Sequence, residues 1–126
     1  MDIKKLESSL KMEKFYFSHC SVERKENIED SNPKMDIKRC VSEVEKHTYD
    51  VRLEVDIDSE DFAVKVIANA RFLFESDFCE RESDIIKKNT VAIMFPFVRS
   101  QISLLTTQPD MVPIVLPPIN TAKFEE

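Results

Sequence analysis

No glycine and no tryptophan occurs among the 126 residues. Without glycine, every tight turn falls to Asn, Asp, Ser or Pro. The same absence excludes the glycine-dependent phosphate cradles: this chain holds no Walker loop, no dinucleotide fingerprint and no nucleophile elbow. Positive charge is in deficit. Lys plus Arg is 18 against 24 for Asp plus Glu, a formal net charge of −6. Such a chain lacks the electrostatic footprint of a nucleic-acid binder, so no nucleic-acid partner is expected. Long hydrophobic runs are missing too. The longest, Val91 to Val98, spans eight residues and contains Pro96. A bilayer span needs about 20, so membrane insertion is not expected. The start, Met1-Asp2-Ile3-Lys4-Lys5, is followed by no apolar core of a signal peptide, which points to a cytoplasmic protein.

Metal and nucleophile chemistry is equally thin. Cys20, Cys40 and Cys79 form no Cys-x-x-Cys pair; three widely spaced cysteines suit free thiols in a reducing compartment. His19 and His47 are the only histidines. His19 adjoins Cys20, but neighbours on a strand point to opposite faces, so the pair does not make a metal site. Both histidines are expected as exposed or half-buried strand residues. Cys79 lies between Asp77 and Glu80, whose charges oppose a thiolate. The acids Asp56, Asp58, Glu60 and Asp61 lack the turn glycine and closing Glu of a calcium loop and read as a solvated turn. No metal and no cofactor is expected. The apolar C-terminal third holds no pair of acids for burial to tune, so the protein is not expected to be an enzyme.

What is present is one domain over residues 1–126, with 42 % apolar and 33 % charged residues. Residues 2–12 read as a short, frayed amphipathic helix, with Ile3, Leu6 and Leu10 at helical spacing. Phe15-Tyr16-Phe17 signals a strand by composition. Residues 25–34, with Asn27, Asp30, Asn32 and Pro33, read as a loop. Met35 to Val44 is a second strand. Tyr49, Val51, Leu53, Val55 and Ile57 alternate with Asp50, Arg52, Glu54 and Asp56, the period of a strand with one dry face. After a turn at 58–61, Phe62 to Phe74 forms a long fourth strand. Four successive strands favour an antiparallel meander.

After residue 78 the period changes. Ser83-Asp84 reads as a cap, and the main helix as Asn89 to about Thr107, with Val91, Met94, Val98, Ile102 and Leu105 in one stripe. Pro96 should kink it. From Asn89 to Ala122 only Arg99 and Asp110 are charged. Residues 109–126 are apolar but studded with proline, which forbids a helix or central strand; an extended crossover and tail remains. The fold class is therefore α+β: a four-stranded antiparallel, meander-like sheet with a long kinked helix packed on one face.

The run Phe95-Pro96-Phe97-Val98-Arg99, with Pro118-Ile119-Asn120 beyond the apolar crossover, resembles the SecB family of protein-export chaperones. The resemblance covers roughly residues 13–120. It implies a homo-oligomer, usually a dimer of dimers, that holds unfolded polypeptides in long apolar grooves without ATP. It also implies delivery to the SecA translocation motor or, in other members, a dedicated partner such as an antitoxin. On this reading Ile37, Val41, Met111, Val112, Ile114 and Leu116 line the client groove, where non-directional apolar contact accepts many sequences. Val91, Met94, Val98, Arg99, Ile102 and Leu105 are expected at a subunit interface. Glu23 matches one acidic motor-docking position, while His19 and Lys65 stand where the resemblance implies acids. Typical members continue into a second helix, whereas this chain stops at Glu126; Asn69 and Ala70 replace glycines near the fourth strand.

Overall fold

The computed structural model describes residues 10–25, 33–75 and 82–118. Four strands, β1 (Leu10–Arg24), β2 (Lys34–Glu45), β3 (Thr48–Asp58) and β4 (Phe62–Phe74), precede one helix, α1 (Glu82–Leu105). They form one antiparallel sheet in the order β1-β4-β3-β2. β2, β3 and β4 make the expected meander. β1 pairs with β4 instead of β2, giving a Greek-key order in which β1 and β2 are the two edges.

The sheet has a dry face and a wet face, because opposed residues of an antiparallel ladder share a side. Val51, Leu53, Val55 and Ile57 of β3 stand opposite Ala70, Ala68, Val66 and Val64 of β4, and all eight are buried. Onto them α1 lays Ile86, Val91, Met94, Phe95, Val98 and Ile102, which are also buried. The helix packs on β4, β3 and β1.

β1 departs from the expectation over Leu10, Lys11 and Met12, which are strand and not helix; residues 1–9 lie outside the described part. The ladder explains the difference. Register shifts fall between Met12 and Lys14 and between Phe17 and His19. Each adds a residue, so the dry face reads Met12, then Phe15 and Phe17, then Cys20 and Val22, opposite Phe72, Ala70, Ala68, Val66 and Val64. A bulge re-phases the pleat, and simple alternation fails across both.

The turns work without glycine. His47 takes a left-handed backbone (φ 65°) in the β2–β3 turn, and Asp110 does the same (φ 59°) after the helix; His and Asp are among the side chains that tolerate this region best. In the β3–β4 turn Ser59 N donates to the Phe62 carbonyl at 2.9 Å, and Ser59 Oγ to Asp61 at 2.5 Å. At the end of α1 no glycine cap is available, so side chains satisfy the last carbonyls. Thr106 Oγ1 donates to Ile102 O (2.8 Å), Thr107 Oγ1 to Ser103 O (2.7 Å) and Gln108 Nε2 to Leu105 O (2.9 Å).

The helix begins at Glu82, seven residues before the expected Asn89. Lys88 and Asn89, which look like a boundary, lie on its exposed side. Tertiary bonds hold its first turn. Glu82 accepts His47 Nδ1–H at 2.6 Å and also the Tyr49 hydroxyl. α1 continues unbroken through Pro96, which faces solvent; the carbonyl of Ala92, left without its helical donor, is on the same exposed side, where water can satisfy it.

Candidate functional site

The two flanks of α1 differ. On the β1 flank, Phe97 packs on Phe15 with ring centroids 5.1 Å apart, and Gln101 Nε2 reaches Cys20 Sγ at 3.6 Å. With about 100° between successive residues, Ser103 and Thr106 lie on the opposite flank. These two hold the segment that follows the helix. Ser103 Oγ donates to Ile114 O at 2.7 Å, and Ile114 N donates to Thr106 Oγ1 at 2.8 Å. Arg24 of β1 donates to Pro109 O at 3.0 Å, tying the bend at the helix end to the sheet.

The crossover is thus fixed by its backbone while its side chains divide between core and solvent. Ile114 and Leu116 are half-buried and pack on the core, whereas Val112 is 86 % and Val115 80 % exposed. Val115 borders a depression of about 390 Å³ with Arg99, Ser103, Leu104 and Thr107. Pro113, Pro117 and Pro118 keep the segment extended and remove backbone donors.

Of the expected groove residues, Ile37 and Val41 lie half-buried on the dry face of β2, packed against the core. Met111, Ile114 and Leu116 are half-buried, and Val112 is fully at the surface. Of the expected interface stripe, Val91, Met94, Val98 and Ile102 are each 0 % exposed within the single chain, because they fill the dry face of its own sheet. Arg99 and Leu105 are half-buried and remain accessible. Arg99 has no hydrogen-bond or ion-pair partner among the described residues.

Glu23 is exposed on the wet face of the sheet, beside a depression it shares with Ser21, Asp56, Asp58 and Lys65. Lys65 Nζ lies 3.5 Å from Glu54 and 3.9 Å from Asp56, so the acids there are partly neutralised. Further along, Arg71 grips Asp50 with two bonds of 2.7 and 3.0 Å. That guanidinium holds the Asp50 carboxyl below the usual carboxylate range. Cys20 and Cys40 are exposed free thiols; Cys79 lies outside the described residues.

Sequence reasoning missed the His47–Glu82–Tyr49 cluster. Burial first, then the bond to Glu82, pushes the Tyr49 hydroxyl well above the ordinary tyrosine range. It joins the β2–β3 turn to the start of α1. Glu82 lies 35 and 33 positions from His47 and Tyr49, so no local pattern announces it. Among the described residues no three His, Cys, Asp or Glu side chains gather as a metal site, and no described helix is long and apolar enough to cross a membrane.

The fold and this margin define a sheet-and-helix scaffold that presents a pinned, apolar, extended segment at its surface. A family model described as preprotein translocase subunit SecB matches residues 4–125. The chain belongs to the SecB family, whose members are non-enzymatic chaperones. Among solved structures it resembles the Mycobacterium tuberculosis SecB-like chaperone Rv1957 in complex with a ChAD peptide from the HigA1 antitoxin. The TM-score is 0.71 with 11 % identity, covering 88 % of each chain. It also resembles a protein of unknown function from Streptococcus agalactiae (TM-score 0.55, 13 % identity, 86 % of this chain and 96 % of that one). A curated relative, the uncharacterized protein MJ0357 of Methanocaldococcus jannaschii, is 53 % identical over 34 residues. The match covers 27 % of this chain and 22 % of that relative.

Proposed function

We propose that this protein is an ATP-independent holdase that binds extended, apolar segments of non-native polypeptides along the margin formed by the crossover and β2. The observation that carries this reading is the pinned crossover. Hydrogen bonds fix the backbone at Ile114, yet Val112 and Val115 are left 86 % and 80 % exposed. A segment that served only to seal the core would turn these side chains inward. Met111 and Met35 add adaptable contacts nearby in the sequence of each wall. Ile37, Val41, Ile114 and Leu116, each half-buried against the same core, would supply the floor of such a margin, where apolar contact sums weakly over a long client.

The test is aggregation of a chemically denatured, unrelated client diluted into buffer. The wild-type protein at near-stoichiometric ratio suppresses light scattering. Val112→Asp and Val115→Asp lie at the surface, so they leave the fold intact and abolish suppression. Wild-type protein with no effect in molar excess overturns the reading.

A second reading is a chaperone dedicated to one partner, such as an antitoxin. The likeness to the Mycobacterium tuberculosis chaperone with its antitoxin peptide favours it. Failure with generic clients, together with co-purification of a single neighbour-encoded protein, decides for it. Delivery to the SecA motor is a finer part of the first reading and rests on Glu23 with Asp56 and Asp58. Assembly as a dimer of dimers in the cytoplasm belongs to the same proposal.

A further inference from the structure

The wet face of the sheet is not uniformly acidic, although the chain is. Its strand register sets side chains in rows that run across all four strands. One row is Lys14, Arg71, Asp50 and Ser42. The next is Tyr16, Asn69, Arg52 and Cys40. Together they line a trough of about 290 Å³. Neighbouring strands lie about 4.8 Å apart, so the trough runs roughly 14 Å from β1 to β2.

The charges in the trough are unequally satisfied. Asp50 is its single carboxylate and is already gripped by Arg71 at 2.7 and 3.0 Å. Lys14 is exposed and has no hydrogen-bond or ion-pair partner among the described residues. Arg52 is 3.8 Å from Glu54, an acid that also lies 3.5 Å from Lys65. Two cations therefore face solvent with only weak compensation, Lys14 from the charge of Asp50, which Arg71 already grips, and Arg52 from Glu54 at 3.8 Å. Between them Tyr16 is 52 % exposed, and Ser42 adds a hydroxyl. Tyr and Arg are the side chains most enriched where protein surfaces bind.

We propose that this trough is a docking site for an extended acidic peptide segment of a partner protein. Lys14 and Arg52 would bind its carboxylates, and the Tyr16 ring would pack along its backbone. The occupant follows from shape and charge. The trough is open and polar, unlike the enclosed apolar pockets that hold small ligands. Lys14 and Arg52 sit two strands and one row apart, about 12 Å, close to the span of three to four extended residues. Acids three or four positions apart on an extended chain meet both cations. Beyond the trough the same face carries Glu54, Asp56, Asp58 and Glu23, only partly neutralised by Lys65 and Lys25; a long polyanion such as nucleic acid would meet these acids, which favours a short segment. This site lies on the other side of the sheet from the crossover and does not depend on the holdase reading.

The probe is a fluorescein-labelled peptide of alternating Glu and Ser, followed by anisotropy with the full chain. The acidic peptide binds, a matched Lys and Ser peptide does not, and affinity falls at least about tenfold between roughly 50 and 500 mM salt. Lys14→Glu with Arg52→Glu lowers it by about tenfold or more, while suppression of client aggregation is unchanged. Val112→Asp has the opposite profile, so the two proposals fail separately. Bound peptide slows alkylation of Cys40 and leaves Cys20 unaffected. The proposal is overturned if the acidic peptide does not bind, if the charge reversals leave its affinity intact, or if an oligothymidylate binds as well as the peptide does.

Discussion

Replacing Thr106 by Val tests how the crossover is held. The two side chains have nearly the same shape, and Thr106 is 0 % exposed, so packing is conserved and only the hydroxyl is lost. The hydroxyl donates to Ile102 O at 2.8 Å, with Ser103 O a longer alternative at 3.3 Å, and accepts from Ile114 N; these bonds are not equally replaceable. Ile102 O also accepts Thr106 N at 3.1 Å, so losing the Thr106 Oγ1 bond leaves that carbonyl satisfied. Ile114 N has no such reserve: Thr106 Oγ1 at 2.8 Å is its acceptor. An amide orphaned in a partly buried place costs about 1–3 kcal/mol. The low end applies, because a half-buried segment can open to water. At about 1.4 kcal/mol per factor of ten, the Ile114 amide should exchange about tenfold faster in native-state hydrogen exchange. Adding Ser103→Ala, which removes the 2.7 Å bond to Ile114 O, should increase the effect. Amides of β4 should keep their protection, since opening is local. Unchanged exchange at Ile114, or acceleration spread equally over β4, would refute the argument.

Phe72→Ala should destabilise the fold by about 3–5 kcal/mol in urea unfolding, because a fully buried ring leaves a cavity between sheet and helix. Tyr49→Phe removes a donor from half-buried Glu82 and should cost about 1–2 kcal/mol. Tyr49 also gives a pH signature. Its folded pKa lies above the unfolded value, so its contribution is whole below about pH 10 and declines as pH rises beyond it. The urea midpoint of the wild-type protein should therefore fall above that pH more steeply than that of Tyr49→Phe. Arg99→Ala should lower the native mass by light scattering if the half-buried Arg99 joins subunits; an unchanged mass rejects that role.

The legible parts of the fold were those whose two sides differ in solvent. β3 alternates Val51, Leu53, Val55 and Ile57 with Asp50, Arg52, Glu54 and Asp56, and the structure buries the first set beneath α1. β4 follows the same rule. β1 was hard to read because its bulges shift the phase twice, so counting by two puts Phe15 and Met12 on opposite faces when they share one. The start of α1 was misplaced for a different reason: Glu82 is anchored by His47 and Tyr49, residues more than 30 positions away. For the candidate site, the sequence named the residues of the crossover and β2. It could not say that Ser103 and Thr106 pin one backbone position, or that a cationic trough opens on the far face.

The sequence by itself determined that this chain makes a half-wet sheet and an apolar helix with a proline-stiffened tail. It also settled glycine-free turns and the absence of glycine-dependent phosphate chemistry. Those are matters of local period and backbone sterics, which each segment carries alone. Tertiary structure alone decided that β1 lies against β4, and that Val91, Met94, Val98 and Ile102 belong to the chain's own core. It also decided which apolar side chains stay in water. These outcomes depend on pairings between distant segments competing for the same dry face, and no local pattern records who wins.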